Sequence, residues 1–246
     1  MKDSSEPKTE STKFNSAAGH AAKANSHFQI ESSETNKIEL TFEAKKCIHS
    51  RHCVTELPRV FKANTPGKWL FPENTDIEIL TAVIRECPSG ALQYRRKDGG
   101  LNEPEPEVNL MRIRENGPYA FLGKLVIDGK NAGTRAALCR CGDSKNKPYC
   151  DGTHKDTGFF ATGEPPTLSG APLKVRNGEI KIERVKDGPL QVTGNLEICT
   201  GTGRVVQRVE RVALCRCGKS KTNLLCDFSH IGAGFTDDPK ESRVSP

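Results

Sequence analysis

Cys139-Arg140-Cys141-Gly142-Asp143-Ser144-Lys145-Asn146-Lys147-Pro148-Tyr149-Cys150-Asp151-Gly152-Thr153-His154 is the stretch on which the fold turns, because it occurs twice. The second copy opens at Cys215-Arg216-Cys217-Gly218 and closes at Cys226-Asp227-Phe228-Ser229-His230. Both copies place three thiols and one imidazole at the same relative positions. Soft and borderline donors gathered in one short loop make a metal site, and duplication of the set argues against chance. The flanks repeat as well. Gly117-Pro118-Tyr119-Ala120-Phe121-Leu122-Gly123 aligns with Gly188-Pro189-Leu190-Gln191-Val192-Thr193-Gly194, and Gly158-Phe159 and Gly234-Phe235 follow the two loops. The unit reads as a pair of short strands, a ligand loop and a short helix.

The run resembles the CDGSH iron–sulfur family, whose pattern is C-x-C-x2-(S/T)-x3-P-x-C-D-G-(S/A/T)-H. The first copy fits throughout. The second departs at Leu224, where the family has Pro, and at Phe228, where it has Gly. The resemblance implies two 2Fe–2S clusters. In each, Cys139 and Cys141 (or Cys215 and Cys217) bind one iron, and Cys150 and His154 (or Cys226 and His230) bind the other. Single-motif members are homodimers, so the resemblance also implies that the repeats, 109–163 and 174–237, pack as an intrachain pseudo-dimer joined by a linker at 164–173. The chain is then expected to be a monomer.

The ligand set carries chemical consequences. Replacing a Cys ligand by His raises a cluster's potential, and imidazole titrates near neutrality, so protons compete with iron. Asp151 and Asp227 are expected to cap the short helices that bear the histidines and to orient the rings. Gly152 is expected to let the backbone approach the cluster, and bulky Phe228 to shield the second site, leaving the first more open and acid-labile. Cys3His is also a zinc set, but zinc sites favour C-x2–4-C and H-x3–5-H pairs, which C-x-C does not match.

A third constellation lies upstream. Cys47-Ile48-His49-Ser50-Arg51-His52-Cys53 and Cys87-Pro88 keep the outer thiols and the C-P of a bacterial ferredoxin run, with Ser50 at the middle position. Residues 37–98 resemble the divergent mono-cluster ferredoxin domain found fused to CDGSH domains. Cys47, Cys53 and Cys87 can hold a 3Fe–4S cluster. A 4Fe–4S cluster needs a fourth donor, for which His49, Ser50, His52 and solvent are the candidates. The alternation Ile38–Phe42 predicts a strand, Asp76–Arg85 a helix delivering Cys87, and Ala91–Tyr94 a closing strand. Trp69 and Tyr94 are assigned to the core.

The 246 residues are 35% hydrophobic with a net charge of +6 and a mean hydropathy of −0.58. Domains of this size gain little from burial, and metals commonly supply the missing stability. The basic residues are scattered, which argues against a nucleic-acid surface. No apolar run approaches a membrane span. Ten cysteines, all but Cys199 grouped at ligand spacings, with no apolar leader, point to a reducing compartment and a cytoplasmic protein. Residues 1–36, with His20 and His27, and 238–246 are expected to be polar tails, and 99–108 a linker. Cys199 stands outside every ligand group.

The expected architecture is therefore α+β: a small ferredoxin-like N-terminal domain, then two β-rich CDGSH repeats. The expected function is a soluble one-electron carrier, not an enzyme, since no catalytic acid–base set or nucleotide loop is present. Cluster storage, transfer or redox and pH sensing is the alternative. Redox proteins or apo cluster acceptors are the expected partners, with neither nucleic acid nor membrane.

Overall fold

The computed structural model describes residues 30–168 and 170–238; most of the two expected tails, with His20 and His27, lies outside them. The N-terminal unit is an antiparallel sheet of β1 (Ile30–Glu34), β2 (Ile38–Glu43) and β3 (Leu92–Arg96), in that order. Between β2 and β3 the chain forms α1 (His52–Glu56) and α2 (Ile77–Arg85). Asp76 caps α2 by accepting from the Glu78 amide at 2.8 Å. The helix buries Leu80 and Ile84 against Ile38, Leu40 and Leu92 of the sheet. Strand, helix and closing strand thus fall where the sequence periods put them.

Strand β1 is a correction, because it occupies the end of the segment expected to be a tail through residue 36. IESSE has no apolar alternation, so period-based reading passes over it. It is held as an edge strand by backbone pairing, Ile30 to Glu43 through Glu34 to Glu39, and by the Trp69 Nε1–H donating to Glu31 Oε2 at 2.7 Å.

The rest of the chain forms one six-stranded sheet: β4 (Leu110–Ile113), β5 (Tyr119–Ile127), β6 (Lys130–Leu138), β7 (Glu179–Arg184), β8 (Leu190–Cys199) and β9 (Val205–Leu214). Each repeat contributes three strands, not the expected pair. β5–β6 and β8–β9 are antiparallel hairpins. The leading strand of each repeat lies between the two hairpins. β4 runs antiparallel to β5 and parallel to β8, and β7 runs antiparallel to β8 and parallel to β5. Each repeat therefore completes the other's sheet. Met111, Phe121, Ile180, Ile198 and Leu214, drawn from both repeats, share one hydrophobic cluster, so neither hairpin buries its apolar face alone.

This exchange brings the two ligand turns back to back. A Cβ on Gly142 would stand 2.9 Å from the Cys217 carbonyl oxygen, and one on Gly218 would collide with that of Cys141. Only glycine permits such an approach. The Tyr119 hydroxyl crosses the same seam, donating to the Cys215 and Leu224 carbonyls at 2.8 and 3.2 Å.

Candidate metal centres

Each C-x-C pair follows directly on a hairpin strand, β6 or β9, and each Cys-Asp-x-x-His segment returns beside it. The Cys139 amide donates to the Pro148 carbonyl and that of Cys215 to Leu224, both at 2.8 Å, while Cys150 and Cys226 donate to Ala137 and Ala213 at 2.9 Å. Leu224 therefore keeps the backbone bond made at Pro148, and its side chain joins the shared core.

The donors meet in pairs. Cys139 and Cys141 Sγ are 3.7 Å apart, and Cys150 Sγ is 3.3 Å from His154 Nδ1. The second repeat gives 3.4 Å for both pairs, Cys215 with Cys217 and Cys226 with His230. Among the described residues no three His, Cys, Asp or Glu side chains are grouped as a single ion would need, whereas pairs suit a centre whose ligands are divided between two irons. The amides of Gly142, Asp143 and Gly152 donate to Cys139, Cys141 and Cys150 Sγ at 3.3 to 3.4 Å, which favours thiolates. Hydrogen bonding from Cys141 lowers Cys139 to about 7, and Cys217 lowers Cys215 to about 6, with Cys141 and Cys217 raised in return. Burial pushes Cys150 up to about 12, a thiol that gives up its proton when a metal takes its place.

The aspartates do part of what was expected. Asp151 Oδ1 accepts from the Thr153 amide at 3.0 Å, at the start of the 3-10 turn Thr153–Lys155 that carries His154. Asp227 Oδ1 accepts from Ser229 at 3.1 Å, at the start of α3 (Ser229–Gly232), which carries His230. The other oxygens accept from the Lys145 and Lys221 amides at 2.8 and 2.9 Å. The aspartates thus tie the two arms of each loop together, and their hydrogen bonds go to backbone amides and to the Thr153 and Ser229 hydroxyls, not to the rings.

In the N-terminal unit, Cys47, Cys53 and Cys87 line one cavity of about 360 Å³ with His49, Ser50, Arg51 and Ser89. Burial raises the Cys47 and Cys53 thiols. His49 Nδ1 lies 4.0 Å from Cys47 Sγ, and Ser89 Oγ lies 3.8 Å from Cys87 Sγ. Of the candidate fourth donors, His49 and Ser50 line the cavity and His52 does not. Ser89 was missed, although its place after the C-P made it visible. Three thiols around a space of this size fit a cluster.

The family model described as "Divergent 4Fe-4S mono-cluster" matches residues 34–97, and that described as "Iron-binding zinc finger CDGSH type" matches twice, over 116–155 and 187–231. The chain carries two CDGSH iron–sulfur domains, with a divergent mono-cluster domain at its N-terminus. "Uncharacterized protein YjdI" of Escherichia coli (strain K12) is 38% identical over 61 residues, 25% of this chain and 79% of that protein. The "CDGSH iron-sulfur domain protein" of Drosophila melanogaster is 36% identical over 74 residues, 30% of this chain and 48% of that protein, so the match spans about half of the fly relative. No solved structure matches. Through its CDGSH domains the chain binds iron–sulfur clusters. Among the described residues no helix is long and apolar enough to cross a membrane.

One expectation for the CDGSH loops is overturned. A Cβ on Gly152 would meet no other protein atom within 4 Å, so no protein segment requires the glycine there. Its φ is +90°, and Phe228 occupies the same left-handed region at +65°. Phe228 does not shield its site. The left-handed turn sends the ring outward to 70% exposure, 6.1 Å from the His230 ring. Cys150 is 3% exposed, whereas Cys226 is half-buried. The second site is the more open. Cys199 is buried at the end of β8, opposite Arg112 of β4, and takes no part in either loop.

Proposed function

We propose that this protein is a one-electron carrier in which a pseudo-dimer of CDGSH repeats holds two 2Fe–2S clusters and the ferredoxin-like N-terminal domain holds one 3Fe–4S or 4Fe–4S cluster. The observation that carries the reading is the back-to-back contact of the two ligand turns, Gly142 on Cys217 and Gly218 on Cys141, which supports two ligand sets acting side by side on one sheet. When bound, such clusters accept and release single electrons. The chain's own part is to hold Cys139, Cys141, Cys150 and His154, and Cys215, Cys217, Cys226 and His230, in fixed pairs and to aim amides at the sulfurs. It is not an enzyme on this reading. Its partners are redox proteins, it works as a cytoplasmic monomer, and it binds neither nucleic acid nor membrane.

A second reading, cluster storage, transfer or sensing with an apo acceptor as partner, draws support from the partly exposed Cys226 at the second site. Iron and sulfide quantification with electron paramagnetic resonance tests both. The carrier should contain about four irons in the two repeats and about three or four more on Cys47, Cys53 and Cys87, and should keep them through repeated reduction and oxidation. Loss of iron to an apo acceptor within a few cycles would favour the second reading. Zinc without sulfide would overturn both.

A further inference from the structure

We infer that Arg135, a residue of the first CDGSH repeat, is a positioning residue for the N-terminal iron–sulfur site, and that its charge, balanced by Glu103, sets that site's reduction potential. The inference rests on the proposed third cluster. Cys87 sits in the turn that follows α2, its amide donating to the Ile84 carbonyl at 3.0 Å. Carbonyls at a helix C-terminus lack intrahelical partners and carry partial negative charge. Arg135 supplies what they lack from across the domain boundary. Its Nη1 donates to the Ile84 and Cys87 carbonyls at 2.6 and 2.5 Å, and its Nη2 to that of Leu92 at 3.0 Å. One guanidinium thus grips the end of α2, the ligand residue itself and the start of β3.

Its remaining N–H groups meet Glu103, with Nε on Oε1 and Nη2 on Oε2, both at 2.7 Å. All five donors of the side chain are therefore used, and Arg135 is 5% exposed. Lysine, a point charge without the planar fork, cannot reproduce this. Glu103 belongs to the stretch 99–108 read as a linker. A second seam lies just ahead of Cys47 in the chain. Asn146 of the first ligand loop donates to the Lys45 carbonyl at 2.7 Å, and the Lys46 ammonium lies 5.5 Å from the Tyr149 ring centre. The Cys87 turn and the residues leading into Cys47 are thus both held against the first repeat.

The sign of the electrostatic effect follows. A positive charge beside a ligand favours the electron-richer state. Glu103→Gln leaves Arg135 in place without its countercharge, so the N-terminal potential should rise. Arg135→Met leaves the carboxylate and removes the fork, so the potential should fall and the ligand turn should loosen.

The experiment is a redox titration of the full-length protein and both variants, followed by electron paramagnetic resonance, with amide exchange read on the metal-free chains. In Glu103→Gln the reduced-to-oxidised ratio of the N-terminal signal at fixed potential should rise about tenfold, or about 59 mV for one electron, with both CDGSH signals unmoved. In Arg135→Met that signal should change shape and shift the other way, and amides between Cys87 and Leu92 should exchange faster. A third signal that keeps its potential and shape in both variants would overturn the inference while leaving the third cluster standing. If Arg135→Met does not fold, Glu103→Gln decides alone, and an unmoved potential there overturns the inference. A parent protein with only the two CDGSH signals and about four irons would overturn the third cluster and the inference together.

Discussion

The two CDGSH loops carry the same ligands and bury the same arginine between their paired cysteines, yet they treat that arginine differently. Arg216 is neutralised. Its guanidinium pairs with both carboxylate oxygens of Asp237 and also donates to the Gly188 and Val185 carbonyls at 2.6 Å. Arg140, equally buried, makes no carboxylate pair among the described residues. It donates to the Ala161 carbonyl at 2.6 Å and to that of Thr162 at 3.2 Å, lies over the Tyr119 and Phe159 rings at 5.8 and 5.4 Å, and leaves Nε without a partner. Glu115 acts on it only through space, its carboxylate being taken by the Gly163 amide. Identical ligand sets thus sit in different fields. A duplicated motif sets which metal is held, and the residues packed around it set what each copy does.

The largest test of the comparison is whether the sites are separate at all. Cys150→Ala and Cys226→Ala should each remove one CDGSH cluster, lowering iron by about two per chain and leaving the other cluster's visible spectrum intact. Loss of both clusters from either change would show that the shared seam makes them one unit.

Next in size is lability. The first site has Cys150 buried and its loop backed by Lys45 and Lys46 of the N-terminal unit. Burial, with Lys155 nearby, also lowers the His154 pKa. A lower pKa means fewer protons on the ring at a given pH, so protons displace iron there only at lower pH. Bleaching on acidification should be biphasic, the second-repeat cluster going first, and a chelator should strip that cluster several-fold faster. Variants lacking one cluster assign the phases. First-repeat loss ahead of second would mean that burial of Cys150 does not govern access.

The arginines predict a smaller difference, in potential. The uncompensated Arg140 should give the first-repeat cluster the higher potential. Asp237→Asn should raise the second towards it, by several tens of millivolts if the unit charge is worth on the order of 1–2 kcal/mol at an effective dielectric of about 20. Equal potentials in the parent protein, unmoved by Asp237→Asn, would mean that solvent screens both arginines.

What the sequence made legible was whatever has a fixed spacing. Cys and His positions, the aspartates beside them and the period of α2 all report local geometry. What it concealed depends on partners far along the chain. The placement of β4 and β7 between the hairpins joins segments about a repeat apart, and no local pattern encodes that. Glu103 lies in a Pro- and Glu-rich stretch typical of a linker, and only its bonds to Thr134 and Arg135, far along the chain, reveal that it is anchored. Phe228 was misjudged for a different reason. Size was read as shielding, whereas a left-handed φ decides which way a side chain leaves the turn.

That backbone angle also carries the smallest prediction. A left-handed residue other than glycine costs roughly 1–2 kcal/mol, and Phe228 recovers little through packing at 70% exposure beside the His230 ring. Phe228→Gly relieves the strain but adds freedom to the unfolded chain, worth roughly 0.4–1 kcal/mol. The net should be a stabilisation of about 0.5 kcal/mol, seen as a small rise in Tm of the metal-free protein. The reciprocal Gly152→Phe places the same strain in the first repeat, with the two terms reversed in sign, and should lower Tm by about as much as Phe228→Gly raises it. Because the ring does not cover its site, Phe228→Gly should leave the rate of cluster loss to a chelator within about twofold of the parent, as expected for a surface change worth a few tenths of a kcal/mol. A drop in Tm, or much faster loss of the second cluster, would show that the ring braces His230, and that the second loop replaces its missing glycine with a contact of its own.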